Sequence, residues 1–297
     1  MIDKKNKIGI IGVGLMGHGI ATNIIKHGYP LVLLDHPGNQ PVDDIMSKGA
    51  TKAATPAQIA EQASVIILCV TGTPQVEDVL YSTHGLLKHI LPGTIIIDCS
   101  TAIPSSTVKI AQDIQAAGGL FLDAPMTRTP KEAAEGRLNL IVGGDEALFE
   151  RCKPLLQSYA ENITFAGPVG SGHRMKLIHN FVSLGFSAVL AEAAACSERA
   201  GVAPDVLMEI LSTGGGNGVV LNRLKPYIET RDGSGFRFSL ANALKDMTYY
   251  TTMAQEAGTL HGTAEAIRKT FEYGQQAKPQ GTVPELITIL VDGARAK

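Results

Sequence analysis

Short apolar runs recur through the first 166 residues and alternate with stretches whose apolar positions repeat at helical spacing. Each run has the length of a strand. Regular alternation of strands with helices is typical of a parallel sheet covered by helices on both faces. We therefore predict an α/β fold with a doubly wound parallel sheet. Its strands are expected near residues 8–11, 31–34, 65–70, 94–98, 120–123 and 138–142.

The pattern changes at a glycine-rich junction, residues 167–172. A long stretch with helical spacing follows from about residue 173 to 200, and strand-like runs then largely disappear. Short glycine-containing loops separate the later segments, as expected between helices. A chain of 297 residues is long enough for two domains of about 150 residues each. We predict an α/β domain over residues 1–168 and an all-α domain over 169–297 that begins with a long interdomain helix.

Charge and hydropathy argue against several classes of partner. The chain has 26 basic and 28 acidic residues, so it has no basic excess with which to hold nucleic acid. Its apolar runs are far shorter than the ~20 residues that cross a bilayer, so we expect no membrane partner. A charged stretch, residues 3–5, leads directly into the first strand and leaves no room for a signal peptide. We expect a cytoplasmic protein.

The four cysteines and eight histidines lack the spacings of metal sites. The sequence contains no C-x-x-C, H-x-x-H or H-E-x-x-H pattern. Two of the cysteines lie in apolar runs, where a thiol packs as a small hydrophobic group. We predict that all four are reduced and structural, and that the chain has no metal site.

The first strand leads into a glycine-rich turn, Gly12-x-Gly14-x-x-Gly17. Gly12 allows a tight turn, Gly14 lets the backbone approach a pyrophosphate, and Gly17 lets the next helix pack close to the strand. With a strand before it and a helix after it, the turn indicates a dinucleotide-binding site much more specifically than its glycines alone would. We predict a Rossmann domain that binds a dinucleotide through Gly12, Gly14, Leu15, Met16 and Gly17.

Asp35 ends the second strand, close to the ~20-residue spacing of the carboxylate that binds the adenosine ribose hydroxyls. A carboxylate at this place repels a 2′-phosphate. The sequence therefore favours NAD over NADP as the cofactor.

Hydride transfer also requires a proton donor and acceptor, for which Lys176 is the best candidate. With Ser171 as the N-cap, Lys176 falls in the first turns of the long helix. The helix dipole and burial both favour the neutral amine, so we expect its pKa to fall from ~10.4 toward ~7–8. Asn180 lies four residues later, where it can act on a bound oxygen or on the lysine. A solvated lysine on an amphipathic helix is the alternative.

Two polar segments follow predicted strands, where open α/β sheets bind ligands. In one, Arg128 stands between Thr127 and Thr129, and its planar guanidinium suits an oxyanion. A solvated loop arginine is the alternative. In the other, Ser100 offers a hydroxyl to the same crevice, or helps to cap the next helix. A later helix carries adjacent Lys245 and Asp246, which diverge from one another and are not expected to form a simple local salt bridge.

Taken together, these segments resemble the β-hydroxyacid dehydrogenase family, and the likeness spans nearly the whole chain. Four motifs in the family's order identify it far more specifically than any one of them does. They are the glycine turn with Ala21 and Asn23 beyond it, Asp123-Ala124-Pro125 before the substrate loop, residues 172–180 as the catalytic helix, and Lys245-Asp246 as a late pair close to the cofactor.

The resemblance implies roles for the residues singled out above. Lys176 would be the general acid and base, and Asn180 would assist it. Ser100 and Lys245 would lie near the nicotinamide and the substrate, and residues 127–129 would bind the substrate's acid group. The implied fold is a Rossmann domain joined by a long helix to an α-helical domain, and the implied assembly is a homodimer or homotetramer.

The chain departs from the family pattern at two places. The usual Asp-Ala-Pro-Val-Ser-Gly-Gly loop has glycines where this chain has Arg128 and Thr129. A similar Arg-Thr pair occurs in the sulfolactaldehyde reductase branch, which makes a sulfonate or another strongly anionic substrate credible. His179 stands where the family commonly has the first of two asparagines, and it either hydrogen-bonds the substrate or only packs.

The leading hypothesis is therefore an NAD-dependent enzyme that reversibly oxidises a small β-hydroxy acid to its semialdehyde, as 3-hydroxyisobutyrate dehydrogenase does. The first alternative is a reductase of 3-sulfolactaldehyde or another anionic aldehyde that depends on Arg128. The second is a cofactor-binding scaffold without activity. Lys176 and Asn180 argue against the scaffold, and Lys176 argues against an imine reductase, a related group that lacks this lysine.

Overall fold

A computed structural model describes residues 1–293 of the chain. The chain divides into two units, Met1–Lys176 and the residues from Leu177 onward. The long helix predicted at the start of the second domain begins at Ser171. The division between the units therefore falls inside this helix, eight residues after the boundary predicted at residue 168.

The first unit is built on a nine-stranded sheet. Its strands are β1 (Ile8–Ile11), β2 (Leu31–Leu34), β3 (Thr51–Ala53), β4 (Val65–Leu68), β5 (Ile95–Asp98), β6 (Leu120–Asp123), β7 (Met126–Thr127), β8 (Leu138–Gly144) and β9 (Ala160–Gly167). Their order is β3-β2-β1-β4-β5-β6-β8-β7, with β9 beside β8. The strands from β1 to β6 pair in parallel, which confirms the predicted Rossmann fold.

Helices cover both faces of this sheet. They are α1 (Leu15–Lys26), α2 (Asp43–Met46), α3 (Pro56–Gln62), α4 (Thr73–Tyr81), α5 (Pro104–Ala116), α6 (Pro130–Glu135) and α7 (Glu146–Leu156). Ile8 and Ile10 of β1 pack into one core with α1 and α7, whereas Ile11 packs into the other with α3, α4 and α5. Because both faces are buried, β1, β2 and β4 are apolar along their whole length, and β5 is apolar up to its last residue, Asp98.

The sheet differs from the prediction at its edges. Strand β8 runs antiparallel to β6 and β7, so the sheet is mixed rather than wholly parallel. Strands β3, β7 and β9 were not predicted from the sequence. The edge strands β3 and β9 carry several exposed residues and β7 has only two residues, so none of them has the buried apolar run by which the central strands were found.

The described part of the second unit is helical, as predicted. Helix α8 (Ser171–Arg199) begins in the first unit and continues into the second. The other helices are α9 (Pro204–Thr213), α10 (Val219–Thr230), α11 (Leu240–Glu256), α12 (Gly262–Ala277) and α13 (Leu286–Gly293), with a 3-10 turn at Val283–Glu285. Buried side chains of α10, α11 and α12, among them Leu224, Met247 and Phe271, form its core.

Helix α8 is long and apolar enough to cross a membrane by length and composition alone. Half of its most apolar segment is buried in the structure, as in the core helix of a soluble protein. The helix itself was predicted from the sequence, but it was not recognised as a candidate span because only uninterrupted apolar runs were considered there. It is weak evidence for a membrane segment.

A buried asparagine joins α1 to α6. Asn23 donates hydrogen bonds from Nδ2 to the carbonyl oxygens of Ala133 and Ala134, at 3.0 and 3.1 Å. The two helices approach closely at Gly19, where a Cβ atom would lie 2.5 Å from the carbonyl carbon of Ala133. Helix α6 follows the predicted substrate loop, so this contact fixes that loop's far end against the helix of the glycine turn.

Replacing Asn23 tests this contact. We expect Asn23→Ala to lower the free energy of unfolding by about 2 kcal/mol, because two buried carbonyl groups lose their donor. The neighbouring Thr22 hydroxyl is buried and has no hydrogen-bond partner among the described residues, so Thr22→Val removes no hydrogen bond and should not lower the free energy of unfolding. Urea unfolding of both variants measures the difference. Equal losses of unfolding free energy in the two variants would show that the hydrogen bonds of Asn23 do not stabilise the contact between α1 and α6.

Candidate active site

The glycine turn forms a cradle of bare backbone. Gly12 has φ +95°, and a Cβ atom there would lie 2.3 Å from the carbonyl oxygen of Cys69. A Cβ atom on Gly17 would lie 1.9 Å from the carbonyl oxygen of Gly12. Beside Gly14, by contrast, no described atom lies within 4 Å of an added Cβ. The turn is therefore closed on its inner side and open where a ligand would approach.

The start of α1 completes this cradle. Gly14 is its N-cap, no side chain caps it within the described chain, and its first turn contains no acidic residue. Such a helix N-terminus attracts an anion through its N–H groups. Leu15 is 55% exposed, whereas Met16 packs against the core. The cradle fits the pyrophosphate of a dinucleotide, and contact of the cofactor with these residues stays a prediction.

Asp35 lies immediately after β2, with its side chain 59% exposed. Its backbone N–H donates to Ala53 of β3 at 2.8 Å. Asn39 ties the following loop to the glycine turn, because its Oδ1 accepts from the N–H of Val13 at 3.2 Å and its Nδ2 donates to Leu34 at 2.8 Å. The backbone that carries the predicted ribose ligand is thus tied to the glycine turn.

Ser100 is buried, and each of its polar groups has a partner in the first unit. Its Oγ accepts from the N–H of Val70 at 3.1 Å, and its own N–H donates to Asp98 Oδ1 at 2.9 Å. Its carbonyl oxygen lies 3.1 Å from Nε2 of His173. These contacts make Ser100 a fixed point of the loop after β5. Its direct contact with cofactor or substrate stays a prediction.

His173 was not identified by the sequence analysis. It lies on the first turn of α8, is fully buried, and places Nδ1 2.8 Å from Thr107 Oγ1 of α5. Because a carbonyl oxygen can only accept, the hydrogen bond to Ser100 requires a proton on Nε2. Its Nε2 also lies 3.9 Å from Asp98 Oδ2. One imidazole therefore joins α8, α5 and the loop after β5.

The start of α8 is anchored by Asp123 of β6 rather than by the predicted cap, Ser171, which is the first helical residue. The buried Asp123 carboxylate accepts from the N–H groups of Gly170 at 2.8 Å and of His173 at 2.9 Å. The helix packs closely against the sheet at Gly172, because a Cβ atom there would lie 2.4 Å from the carbonyl oxygen of Ile141. Three residues after His173, half-buried Lys176 follows on the same helix.

Burial also determines the ionisation of this region. It raises the pKa of Asp98, although His173 acts in the opposite direction. It raises the pKa of the Cys69 thiol to about 12, so this thiol stays protonated at neutral pH and is not a nucleophile. All four cysteines are free, and no cluster suited to a metal ion occurs within residues 1–293.

The threonines of the predicted substrate loop have partners nearby. Thr127 Oγ1 accepts from Asn139 Nδ2 of β8 at 3.1 Å. Thr129 precedes α6 and donates from its N–H and its hydroxyl to Glu132 Oε2, at 2.9 and 2.5 Å. Thr129 is thus part of a helix cap, a role that the sequence analysis did not consider. A role for either threonine in binding substrate stays a prediction.

Arg128 has φ +82°, a left-handed conformation that favours glycine. The residue thus keeps the backbone path of a glycine in the place where the family has one. Its guanidinium contacts the carboxylate of Glu161 and the carbonyl oxygen of Arg137. The hydrogen bond from Arg128 lowers the pKa of Glu161. A substrate anion at Arg128 would therefore compete with Glu161.

In the second unit, buried Asp246 organises the other predicted residues. Its Oδ2 accepts from Asn180 Nδ2 at 2.7 Å, and Asn180 Oδ1 lies 3.1 Å from His179 Nδ1. Its Oδ1 lies 3.1 Å from Lys245 Nζ, which corrects the expectation that these neighbours do not pair. The long lysine side chain folds back toward the carboxylate, although the two Cβ atoms diverge.

Two family models match the chain. The model of the NAD binding domain of 6-phosphogluconate dehydrogenase matches residues 7–167. The model described as NAD-binding of NADP-dependent 3-hydroxyisobutyrate dehydrogenase matches residues 170–286. Both descriptions name nicotinamide cofactors, and between them they mention NAD and NADP.

Individual relatives extend this comparison. The chain is 37% identical to 2-hydroxy-3-oxopropionate reductase of Escherichia coli K12, over 70% of each protein. It is 36% identical to 3-sulfolactaldehyde reductase of the same strain, over 71% of each. The crystal structure of a Salmonella typhimurium 3-hydroxyisobutyrate dehydrogenase superposes with a TM-score of 0.83 at 25% identity, covering 96% of this chain and 99% of that one. These three proteins are named for different substrates, so the similarities do not determine which substrate this chain uses.

The anchor of α8 can be tested by Asp123→Asn. The amide has one acceptor oxygen where the carboxylate has two, so a buried N–H group loses its partner, and we expect a stability loss of about 2 kcal/mol or more. Asp145 caps α7 by accepting from Leu148 at 2.8 Å, and asparagine caps equally well, so Asp145→Asn should be nearly neutral. Urea unfolding compares the two variants. A neutral Asp123→Asn would contradict the assigned anchor.

Proposed function

The chain belongs to the β-hydroxyacid dehydrogenase family, and from this premise we propose that it interconverts a small β-hydroxy acid and its semialdehyde with NAD. Its homologues are oxidoreductases that act on hydroxy acids, so the chain is an enzyme. The proposal is carried by the position of Lys176, one turn into a helix whose start is fixed by two buried side chains, Asp123 and His173.

Lys176 is the proposed acid and base. When bound, the nicotinamide cofactor supplies or takes up the hydride. In oxidation, the Lys176 amine accepts the proton of the substrate hydroxyl; in reduction, its ammonium returns a proton to the carbonyl oxygen. Asn180 assists by holding that oxygen or the lysine, and its amide is oriented by Asp246. Ser100, Lys245 and His179 are proposed to lie beside the nicotinamide and the substrate.

NAD is the proposed cofactor because Asp35 follows β2 as an exposed carboxylate, where an acidic residue accepts the ribose hydroxyls in a Rossmann domain. The family as a whole uses NAD or NADP, and the models that match this chain name both. The free state of the four cysteines accords with a reducing compartment, and we propose the cytoplasm. Exposed apolar residues on α8, among them Val182 and Val189, support a homodimer or homotetramer.

The substrate is proposed to carry an anionic group held by residues 127–129, and a carboxylate is the leading choice. A sulfonate is the second candidate, and Arg128 favours it. This arginine stands in a left-handed position at a strain cost of about 1 kcal/mol, which a glycine would avoid. Strained residues cluster at functional sites, where the interaction they make outweighs the cost.

Replacing Lys176 tests the reaction. We expect Lys176→Ala to lower kcat by about 10²–10⁴-fold, because the proton transfer loses its partner. NADH affinity, measured by the fluorescence of the bound cofactor, should change by less than about twofold. Arg174→Ala removes an exposed charge from the same turn and should leave kcat unchanged. Full turnover by Lys176→Ala would refute the proposed role.

Replacing Arg128 tests the anion. Arg128→Gly keeps the backbone path, so the fold should persist. We expect kcat/KM for a sulfonated aldehyde to fall by about 10-fold or more, and for a carboxylated aldehyde by less, because the guanidinium fork is lost. Arg137 shares the Glu161 carboxylate, so Arg137→Ala serves as the matched control. A small, equal loss on both substrates would count against Arg128 as the anion ligand.

A further inference from the structure

A lysine stands beside the carboxylate proposed to select the cofactor. Lys52 Nζ lies 3.0 Å from Asp35 Oδ1, and the two side chains are 41% and 59% exposed. We propose that Lys52 sets how strongly the enzyme prefers NAD to NADP, by offering a positive charge to a 2′-phosphate at the ribose. This inference rests on the proposed NAD site at Asp35, and it concerns a residue to which the sequence analysis gave no role.

The backbone holds Lys52 and Asp35 together. Lys52 is the central residue of β3 and pairs in register with Leu33 of β2. The next residue of β3, Ala53, accepts the N–H of Asp35 at 2.8 Å. The two side chains therefore leave neighbouring strands at the same end of the sheet. Their proximity does not depend on a flexible loop.

The ammonium of Lys52 weakens the repulsion that Asp35 alone would exert on a 2′-phosphate. An isolated carboxylate at the ribose would repel a 2′-phosphate strongly, whereas an ammonium at 3.0 Å offsets much of that field. With NAD, Asp35 can accept the ribose hydroxyls while Lys52 holds it in place. With NADP, Lys52 is the one group of the pair that can bind the phosphate. We therefore expect a measurable affinity for NADP despite Asp35.

The other charged groups near this end of the sheet are engaged or differently placed. His18 of α1 lies 3.1 Å from Asp44 Oδ1 of α2, so this imidazole has a carboxylate of its own. His36 accepts the N–H of Gly38 through Nδ1 at 3.0 Å, within its own turn. Lys48 is exposed in the connection between α2 and β3. Lys52 is the cation that the structure places against Asp35.

The experiment measures cofactor binding directly, without a substrate. NADH and NADPH are titrated against the wild type, Lys52→Ala, Lys48→Ala and Asp35→Ala, and the change in cofactor fluorescence gives each Kd. We expect Lys52→Ala to raise the Kd for NADPH about tenfold, the loss of a charge-assisted contact, and the Kd for NADH less than twofold. Lys48→Ala makes the same change in net charge and should alter neither. Asp35→Ala should tighten NADPH.

Two results would overturn the inference. An equal weakening of NADH and NADPH by Lys52→Ala would mean that Lys52 only orients Asp35. An unchanged NADPH affinity would mean that the ammonium does not reach the phosphate. Raising the salt concentration should reduce the Lys52 effect on NADPH, since exposed charges are screened. A protein that binds NADH but oxidises no hydroxy acid would contradict the proposed function and leave this test intact.

Discussion

The buried carboxylate of Asp123 is the constraint on which the arrangement of the first unit's functional residues depends. A charge that is fully removed from water needs hydrogen-bond donors, and here the backbone N–H groups at the start of α8 supply them. The end of β6 and the beginning of α8 therefore fix one another. Because the helix dipole also favours a negative charge at this end, the pairing stabilises both partners.

His173 extends this constraint to the loop after β5. Its two ring nitrogens meet Thr107 and the carbonyl oxygen of Ser100, so that one side chain controls the spacing of three elements. A leucine of similar volume would fill the space but leave the buried carbonyl oxygen of Ser100 without this donor, whereas the Thr107 hydroxyl could still donate to Ile103 at 3.1 Å. The position of Lys176 follows from these contacts, since a helix rises by a constant amount per residue. The proposed acid and base is thus placed by buried polar groups to which no part in the reaction is assigned.

How well each part of the site can be predicted from the sequence depends on how far apart along the chain its interacting residues lie. The glycine turn and the carboxylate of Asp35 adjoin apolar strands, and Lys176 lies in a stretch of helical spacing, so patterns between neighbours in sequence are enough to predict them. Asp123 contacts residues 47 and 50 positions away, and Lys52 belongs to an edge strand with little apolar signal. Such contacts become visible only when the fold brings distant segments together. The role of Thr129 as a cap could have been predicted from the sequence, because its partner Glu132 lies only three residues later. The capping pattern was not considered there.

The hydrogen bonds of the second unit limit what Asn180 can do. Its Nδ2 donates to Asp246, an acceptor, which orients the amide so that Oδ1 points to the other side, where it lies 3.1 Å from His179 Nδ1 and keeps room for a second donor. An amide oxygen accepts hydrogen bonds and cannot donate them, so Asn180 can hold a group that carries a proton, such as an ammonium or a hydroxyl. A carboxylate or sulfonate would find no donor in that oxygen. In the proposed site this oxygen therefore suits the reacting hydroxyl of a hydroxy acid or the ammonium of the lysine, whereas an acid group could be met only by the second N–H of Nδ2.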